Sequence, residues 1–295
     1  PKELWAKDED YLWYSTGSSA FYTDLKNGLL GEGTLQARYI RGASGGKPFT
    51  LGKYESTRTR VSIAELAANG GVPMGFYTRF TNPEARRVIT QYYQFLRRHR
   101  AIYHGNQSAA DALLLYPRRA VHCGDVQSVQ SFIELGDALL DRHVLFDVLP
   151  DDLATLDVQA RYRAVYTINH PTDHNADFIR IQAPSTVRAS LSRPAKANRL
   201  HLHLVNYNRT EPVKPRSAGG GIHDEKPIAA EGLHFTLANS SPIRRARLLS
   251  PELAAPIPLQ PQADGADRTR IEVPTFLVYA IIELDFEGEP NPTLP

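Results

Sequence analysis

The chain has a single cysteine, a single methionine and two tryptophans among its 295 residues. Because Cys123 has no second cysteine to pair with, an internal disulfide framework is excluded. No apolar run approaches the roughly 20 residues that a membrane-spanning helix needs, so no membrane partner is expected. The formal net charge is only +2 and the basic residues are scattered, which argues against a nucleic-acid partner.

The composition that remains is that of an ordinary globular protein, with 42% hydrophobic and 22% charged residues. Its length predicts a sizeable core divided over about two domains. The chain starts at Pro1 without a signal-peptide pattern, which predicts a processed product or a fragment of a longer chain and leaves the compartment open.

The first third of the chain alternates strand and helix patterns, as a β/α architecture does. Residues 47–55 have a strand pattern with a polar end, and residues 61–68 have a helix pattern that Asn69 and the glycines after it should stop. A second strand is predicted over 72–77. Pro83 then opens a long helix whose apolar residues recur at spacings of three and four.

A short linker over 105–109 is predicted to lead into a second, smaller α/β unit. The patterns predict parallel strands over 110–116, 144–149 and 162–168, with a helix over 126–143. From about residue 175 short β-runs separated by proline and glycine predict an antiparallel sandwich. Its strands are expected at 178–182, 186–192, 200–207, 233–237, 244–249 and 270–284.

This order of segments resembles the bacterial beta-galactosidase-like glycoside hydrolases that carry a trimerisation domain. The resemblance spans most of the chain and depends on four motifs in their order. They are Gly52-Lys-Tyr-Glu55, Ala64-Glu-Leu-Ala-Ala-Asn-Gly-Gly71, Leu113-Leu-Leu-Tyr-Pro-Arg-Arg119 and Leu202-His-Leu-Val-Asn-Tyr207.

The resemblance implies an α/β plus β fold in three parts. Residues 1–104 would be the C-terminal part of a (β/α)8 glycosidase barrel. Residues 105–175 would be a short amidotransferase-like α/β trimerisation unit, and residues 176–295 a C-terminal antiparallel β-sandwich. It further implies a carbohydrate substrate, a homo-oligomer in the form of a trimer, and no cofactor. Two departures from the family stand out, since the α/β unit breaks off near residue 168 and the barrel lacks its first strands.

Glu55 is the first candidate for a catalytic carboxylate. Barrel enzymes place catalytic groups at the C-terminal ends of strands, and glycosidases use a pair of carboxylates. Glu32, which lies between two glycines that would allow a sharp turn, is the candidate for the second. The alternative for Glu55 is a structural or substrate-orienting carboxylate paired with Arg58 or Arg60. Glu65, inside a helix pattern, is expected to form a cap or a salt bridge.

The aromatic residues Trp13, Tyr54 and Tyr77 are candidates for stacking on sugar rings, with core packing as the alternative for each. Arg58 is the candidate for orienting the substrate. No metal site is expected at the histidines of the loop 170–174 or at His201 and His203, which share one face of a strand pattern.

Two functions from different classes follow. The first is a glycoside hydrolase that cleaves O-glycosidic bonds of sugars such as β-galactosides through Glu55 and Glu32. The second is a non-catalytic carbohydrate-binding or oligomerisation module in which the barrel segment is vestigial.

Overall fold

Strands and helices alternate in the first third of the chain and form a parallel three-stranded sheet in the order β1-β2-β3. The computed structural model describes residues 8–15, 25, 30, 32–54, 59–73, 76–77, 83–169, 178–195, 198–210, 226–238 and 241–290. The elements are β1 (Leu12–Ser15), α1 (Glu32–Ala43), β2 (Phe49–Tyr54), α2 (Thr59–Ala68), β3 (Phe76–Tyr77) and α3 (Pro83–Arg98), followed by a 3-10 turn (Arg100–Ile102).

The predicted helices of this segment are confirmed, and one strand is shorter than predicted. Helix α2 ends before Gly70, whose φ of 81° is the left-handed conformation that stops a helix. Helix α3 buries the stripe that its spacing predicts: Ala85, Val88, Tyr92 and Phe95. The strand predicted over 72–77 is confined to Phe76–Tyr77, since Pro73 has no N–H to donate to a ladder.

A second parallel sheet follows, with the strand order β6-β5-β7. It confirms the small α/β unit expected after residue 110. Its elements are β5 (Ala112–Tyr116), α4 (Arg118–His122), α5 (Gln127–Asp141), β6 (Phe146–Pro150), α6 (Leu156–Gln159) and β7 (Ala164–Tyr166). The exposed Cys123 ends α4, and the Asp125 carboxylate caps α5 by accepting from the Ser128 N–H at 3.2 Å. Cys123 therefore lies in the turn between α4 and α5.

Helix α1 packs against both parallel sheets. Gly42 lies so close to β6 that a Cβ atom there would be 1.9 Å from the Val148 carbonyl oxygen. Gly136 of α5 is close to Leu35 of α1 in the same way, with 2.7 Å between its built Cβ and the leucine methyls. Glycine is required at Gly42, because the obstacle there is the backbone of β6, whereas the Leu35 methyls near Gly136 belong to a flexible side chain that can move.

The rest of the chain forms two antiparallel sheets that pack face to face. One has the order β15-β14-β18-β10-β9-β4, and the other has the order β16-β17-β13-β8. A two-stranded ribbon, β11-β12, accompanies them. The strands are β4 (Asn106–Ser108), β8 (Ile179–Gln182), β9 (Val187–Pro194), β10 (Arg199–Asn206), β11 (Arg209–Thr210), β12 (Lys226–Pro227), β13 (Leu233–Ala238), β14 (Ile243–Leu249), β15 (Ile257–Leu259), β16 (Gln262–Asp264), β17 (Arg268–Val273) and β18 (Tyr279–Phe286).

Two expectations about this region are wrong. The segment 105–109 contains strand β4, which pairs with β9 at the edge of the six-stranded sheet, so it is not a linker. The run 270–284 is two strands, because Pro274 interrupts it after Val273 and β17 and β18 then join different sheets. The sandwich-like part itself is confirmed.

Both faces of the six-stranded sheet are buried. On one face Leu202 and Ile282 pack against Phe235 and Ile271 of the four-stranded sheet. On the other face residues of β10, β14 and β18 pack against helices α2 and α3; they include Val205, Leu249, Tyr279 and Ile281. The described strands β1 to β3 form an open sheet, so the C-terminal part of a (β/α)8 barrel expected over 1–104 stays a prediction.

Candidate functional site

The C-terminal ends of strands β1, β2 and β3 lie at one edge of the first sheet. The strands are parallel, and their register pairs Ser15 with Gly52 and Tyr54 with Tyr77. Parallel β/α architectures place binding and catalytic residues at this edge, on the segments that lead from each strand to the next helix. The edge is therefore the candidate active site.

Four of the six predicted site residues have a described backbone. Trp13 lies in β1 opposite Thr50, and Tyr54 and Tyr77 are the last residues of β2 and β3. Glu32 is the first residue of α1. Gly33 belongs to the same helix, so the sharp turn predicted on both sides of Glu32 is absent on its C-terminal side.

Glu55 and Arg58 lie outside the described residues. In the chain Glu55 directly follows β2 (Phe49–Tyr54), which lies within the strand predicted over 47–55. The site roles of all six residues stay predictions. The histidine-containing loop 170–174 also lies outside the described residues.

Glu65 forms a buried hydrogen-bonded cluster behind this edge. Its side chain projects from α2, and its Oε1 atom accepts from the Tyr207 hydroxyl at 2.6 Å and from the Thr34 hydroxyl at 3.1 Å. The expectation of a cap or a salt bridge at Glu65 is wrong, because its partners are hydroxyls from α1 and from the residue that follows β10. Burial and the adjacent Glu65 carboxylate raise the pKa of Tyr207 well above its ordinary value. Tyr207 therefore stays protonated and donates.

Arg38 of helix α1 is a buried cation next to this cluster. Its Nε donates to the Asn69 side chain at 3.0 Å, and its Nη2 donates to the Ala189 carbonyl at 2.7 Å. Its guanidinium carbon is 4.4 Å from the centre of the Phe146 ring. Burial, together with the charge of Arg41, lowers the pKa of Arg38 to about 9. Arg38 thus connects α1, α2, β6 and β9, which is a structural role.

A second polar cluster lies on the helix-facing side of the six-stranded sheet. Glu283 and Asp285 alternate along β18 and point to the same side as the arginines of the neighbouring strands. Arg247 donates from Nε to Glu283 Oε1 at 2.7 Å. Arg199 donates a hydrogen bond to Asp285 Oδ1, and Arg245 donates to Asp285 Oδ2.

Glu283 has the most perturbed carboxyl in this second cluster. Burial alone would raise its pKa, but His201 and the guanidinium groups of Arg247 and Arg199 outweigh burial and lower the pKa to about 2. The His201 Nε2 atom is 3.6 Å from Glu283 Oε2, which is too long for a good hydrogen bond, so we assign most of the effect to the arginines.

The two histidines that share one face of β10, His201 and His203, are both buried. His203 is buried between the Tyr279 hydroxyl, at 2.9 Å from its Nδ1, and the Ser192 hydroxyl, at 3.0 Å from its Nε2. Burial and the neighbouring His201 lower the pKa of His203 to about 3. The imidazole is therefore neutral at physiological pH and serves as a packing and hydrogen-bonding group.

The comparisons with known proteins bear on the fold. No family model matches the chain, and no curated protein sequence matches it. Among solved structures, alpha-L-fucosidase isoenzyme 2 from Paenibacillus thiaminolyticus is similar with a TM-score of 0.63 and 11% sequence identity. The match covers 95% of this chain and 66% of the fucosidase chain. A rhamnosidase from Novosphingobium sp. PP1Y has a TM-score of 0.45 at 9% identity, over 97% of this chain and 35% of that chain.

The chain has a glycoside hydrolase-like fold. It spans just under two thirds of the fucosidase chain and about a third of the rhamnosidase chain. The similarity supports the resemblance at the level of a hydrolase-like fold with mixed helix and sheet segments and a sandwich-like part. It does not extend to the beta-galactosidase group in particular.

Sequence reasoning missed the ion network of this hydrolase-like fold. A signal was present, because charged and histidine residues alternate with apolar ones along both strands. Arg199 and His201 are two residues apart on β10, and Glu283 and Asp285 are two residues apart on β18. Among the described residues no group of three or more His, Cys, Asp or Glu side chains is arranged to hold a metal ion. No helix in the described part of the chain is long and apolar enough to cross a membrane.

Proposed function

We propose that this chain is the part of a glycoside hydrolase that carries the edge formed by the ends of β1, β2 and β3, and that the enzyme cleaves O-glycosidic bonds there. The observation that carries the proposal is the parallel register, which brings three strand ends to one edge in a chain with a hydrolase-like fold. A carbohydrate is the proposed substrate, with no cofactor.

In the proposed mechanism Glu55 is the nucleophile and Glu32 is the second carboxylate. A retaining glycosidase holds its two carboxyl groups about 5 Å apart, so that one attacks the anomeric carbon while the other protonates the leaving oxygen. Trp13, Tyr54 and Tyr77 would supply aromatic faces to the sugar ring, and Arg58 would orient its hydroxyls.

The sugar is a finer part of the proposal. The sequence motifs favour β-galactosides, whereas the similar solved structure is an alpha-L-fucosidase. Both are exo-acting activities on a terminal sugar, so the first assay compares nitrophenyl β-D-galactoside with nitrophenyl α-L-fucoside. We also propose that the chain is divided into three domains, over 1–104, 105–175 and 176–295. We further propose that it forms a homotrimer, whose mass can be measured by light scattering on the same sample.

The decisive experiment substitutes Glu55 in the product of the complete gene. Glu55→Gln is expected to lower kcat at least about 100-fold, because the nucleophile is lost while the fold is kept. The matched control is Glu84→Gln, an exposed carboxylate on α3 paired with Arg87, which should leave kcat unchanged. Azide should restore turnover in Glu55→Gly by attacking the anomeric carbon in place of the carboxylate.

Two results would contradict the proposal. Full activity in Glu55→Gln would remove Glu55 from the mechanism. Absence of hydrolysis by the unsubstituted gene product on a broad set of glycosides, with sugar binding retained, would favour a non-catalytic module.

A further inference from the structure

A cavity of about 270 Å³ lies between the second half of α3 and the segment that follows β14. Its lining combines apolar and polar groups. Phe95 and Leu249 are buried in its wall, and Gln94 and Arg98 are exposed where α3 borders it. The lining residues come from α3, the end of β14 and the segment 250–256, and none of them is a residue of the proposed catalytic edge.

Arg98 contributes a positive charge to the lining of this cavity. Arg98 has no hydrogen bond or ion pair with any residue that the structure describes, and its side chain is exposed. Its neighbour His99 is half-buried, with its ring centre 4.6 Å from that of Phe95. Burial lowers the pKa of His99, and the charges of Arg98 and Arg247 lower it further.

The two carboxylates near the cavity have hydrogen-bond partners other than Arg98. Glu252 accepts hydrogen bonds from the Tyr92 and Ser250 hydroxyls, the second at 2.6 Å. Glu283 is held by Arg247. Since both carboxylates have partners, the cation on Arg98 is left to attract an anion from solution.

We propose that this cavity binds a carboxylate-bearing sugar residue, such as a uronic acid, with its carboxylate on Arg98. Three features of the cavity carry the proposal. A guanidinium without an anionic partner recognises a carboxylate. An aromatic and aliphatic wall fits the apolar face of a sugar ring, and the Gln94 amide suits its hydroxyls.

The volume of the cavity fits one sugar ring and not a longer ligand. Pockets for drug-sized molecules have about 300–1,000 Å³, so a cavity of 270 Å³ matches a single sugar residue. The same chemistry can come from a free uronic acid or from the acidic end of a glycan. This binding site is independent of the proposed hydrolysis and would exist in a non-catalytic module as well.

Ligand-observed NMR on the full chain tests the proposal, with methyl β-D-glucuronide as the probe and methyl β-D-glucoside as its neutral match. The glucuronide should bind at least about tenfold more tightly, because only it has the charge-assisted bond to Arg98. Arg98→Gln should remove this preference, whereas Arg97→Gln, one residue earlier on α3, should keep it. Ala255→Trp should abolish the binding of both sugars by filling the cavity.

Three outcomes would overturn the proposal, and one further comparison identifies the source of the sugar acid. Equal binding of the two sugars, or an unchanged preference in Arg98→Gln, would overturn the proposal even if the protein hydrolyses glycosides. The same holds if the glucuronide shows no binding at roughly 10 mM. A glucuronide-terminated disaccharide that binds more tightly than the methyl glucuronide would identify a glycan as the source, and equal affinity would identify the free sugar acid.

Discussion

The ion network on β18 should make the free energy of unfolding decrease as the pH is lowered through the range in which Glu283 becomes protonated. The folded-state pKa of Glu283 is lowered from 4.5 to about 2, so the carboxylate contributes stability above the unfolded pKa. That contribution is lost as the pH falls from about 4.5 towards 2. Glu283→Gln removes the charge at every pH, so the variant should lack this part of the pH dependence.

The magnitude follows from the pKa difference. A shift of this size corresponds to roughly 3.4 kcal/mol if it is converted in full. Arg247 and Arg199, which cause it, are each 32% exposed, so screening by water and salt reduces the figure to about 1–2 kcal/mol. Without this reduction, protonation of Glu283 would lower the free energy of unfolding by about 0.8 kcal/mol at pH 4.0 and about 1.4 kcal/mol at pH 3.5, relative to pH 7.

Urea unfolding at pH 7, 4.5, 4.0 and 3.5 measures this difference, since urea leaves ion pairs unscreened. At pH 7 Glu283→Gln should be less stable than the unsubstituted protein by about 1–2 kcal/mol, and the gap should narrow at each lower pH. Glu272→Gln is the control, because Glu272 is 55% exposed and paired only with Arg270 among the described residues. A gap between Glu283→Gln and the unsubstituted protein that stays constant from pH 7 to 3.5 would refute the reasoning.

Two further substitutions test the packing between the parts of the chain. Tyr207→Phe should lower the free energy of unfolding by about 1–3 kcal/mol in urea, because the buried Glu65 carboxylate loses its shorter hydrogen bond; a change under about 0.5 kcal/mol would show that the Glu65 cluster is not coupled to stability. Gly42→Ala should lower the melting temperature despite the better helix propensity of alanine, because its Cβ would lie 1.9 Å from the Val148 oxygen. An unchanged or higher melting temperature would mean that α1 is not held against β6.

The element types could be predicted from the sequence wherever the apolar period is long. Helix α3 shows this best, since Ala85, Val88, Tyr92 and Phe95 recur at helical spacing and are all buried. The errors of prediction lie in short segments whose structure depends on pairing with a distant strand and not on their own sequence pattern. Residues 106–108 are polar and form a strand only because the edge of β9 offers them hydrogen bonds.

The candidate site was predictable only in part, because strand order can be inferred from pattern whereas side-chain partners cannot. The alternation of β and α patterns predicts that the ends of β2 and β3 share an edge, and the register of Tyr54 and Tyr77 agrees. The partners of Glu65 are different, since Thr34 and Tyr207 are 31 and 142 residues away from it. No local pattern specifies such contacts, and the pairing was therefore predicted wrongly as a cap or salt bridge.

The six-stranded sheet acts as the support for the helices that flank the proposed catalytic edge. One of its faces closes the sandwich core, and the other receives α2 and α3. The Ser190 hydroxyl donates to the Ala68 carbonyl at the end of α2, and Tyr207 binds Glu65 one turn earlier. Because α2 connects β2 to β3, any shift of the sandwich would move the two strand ends that carry Tyr54 and Tyr77. The sandwich therefore supports these helices, which explains why helices belonging to an open three-stranded sheet are so deeply buried.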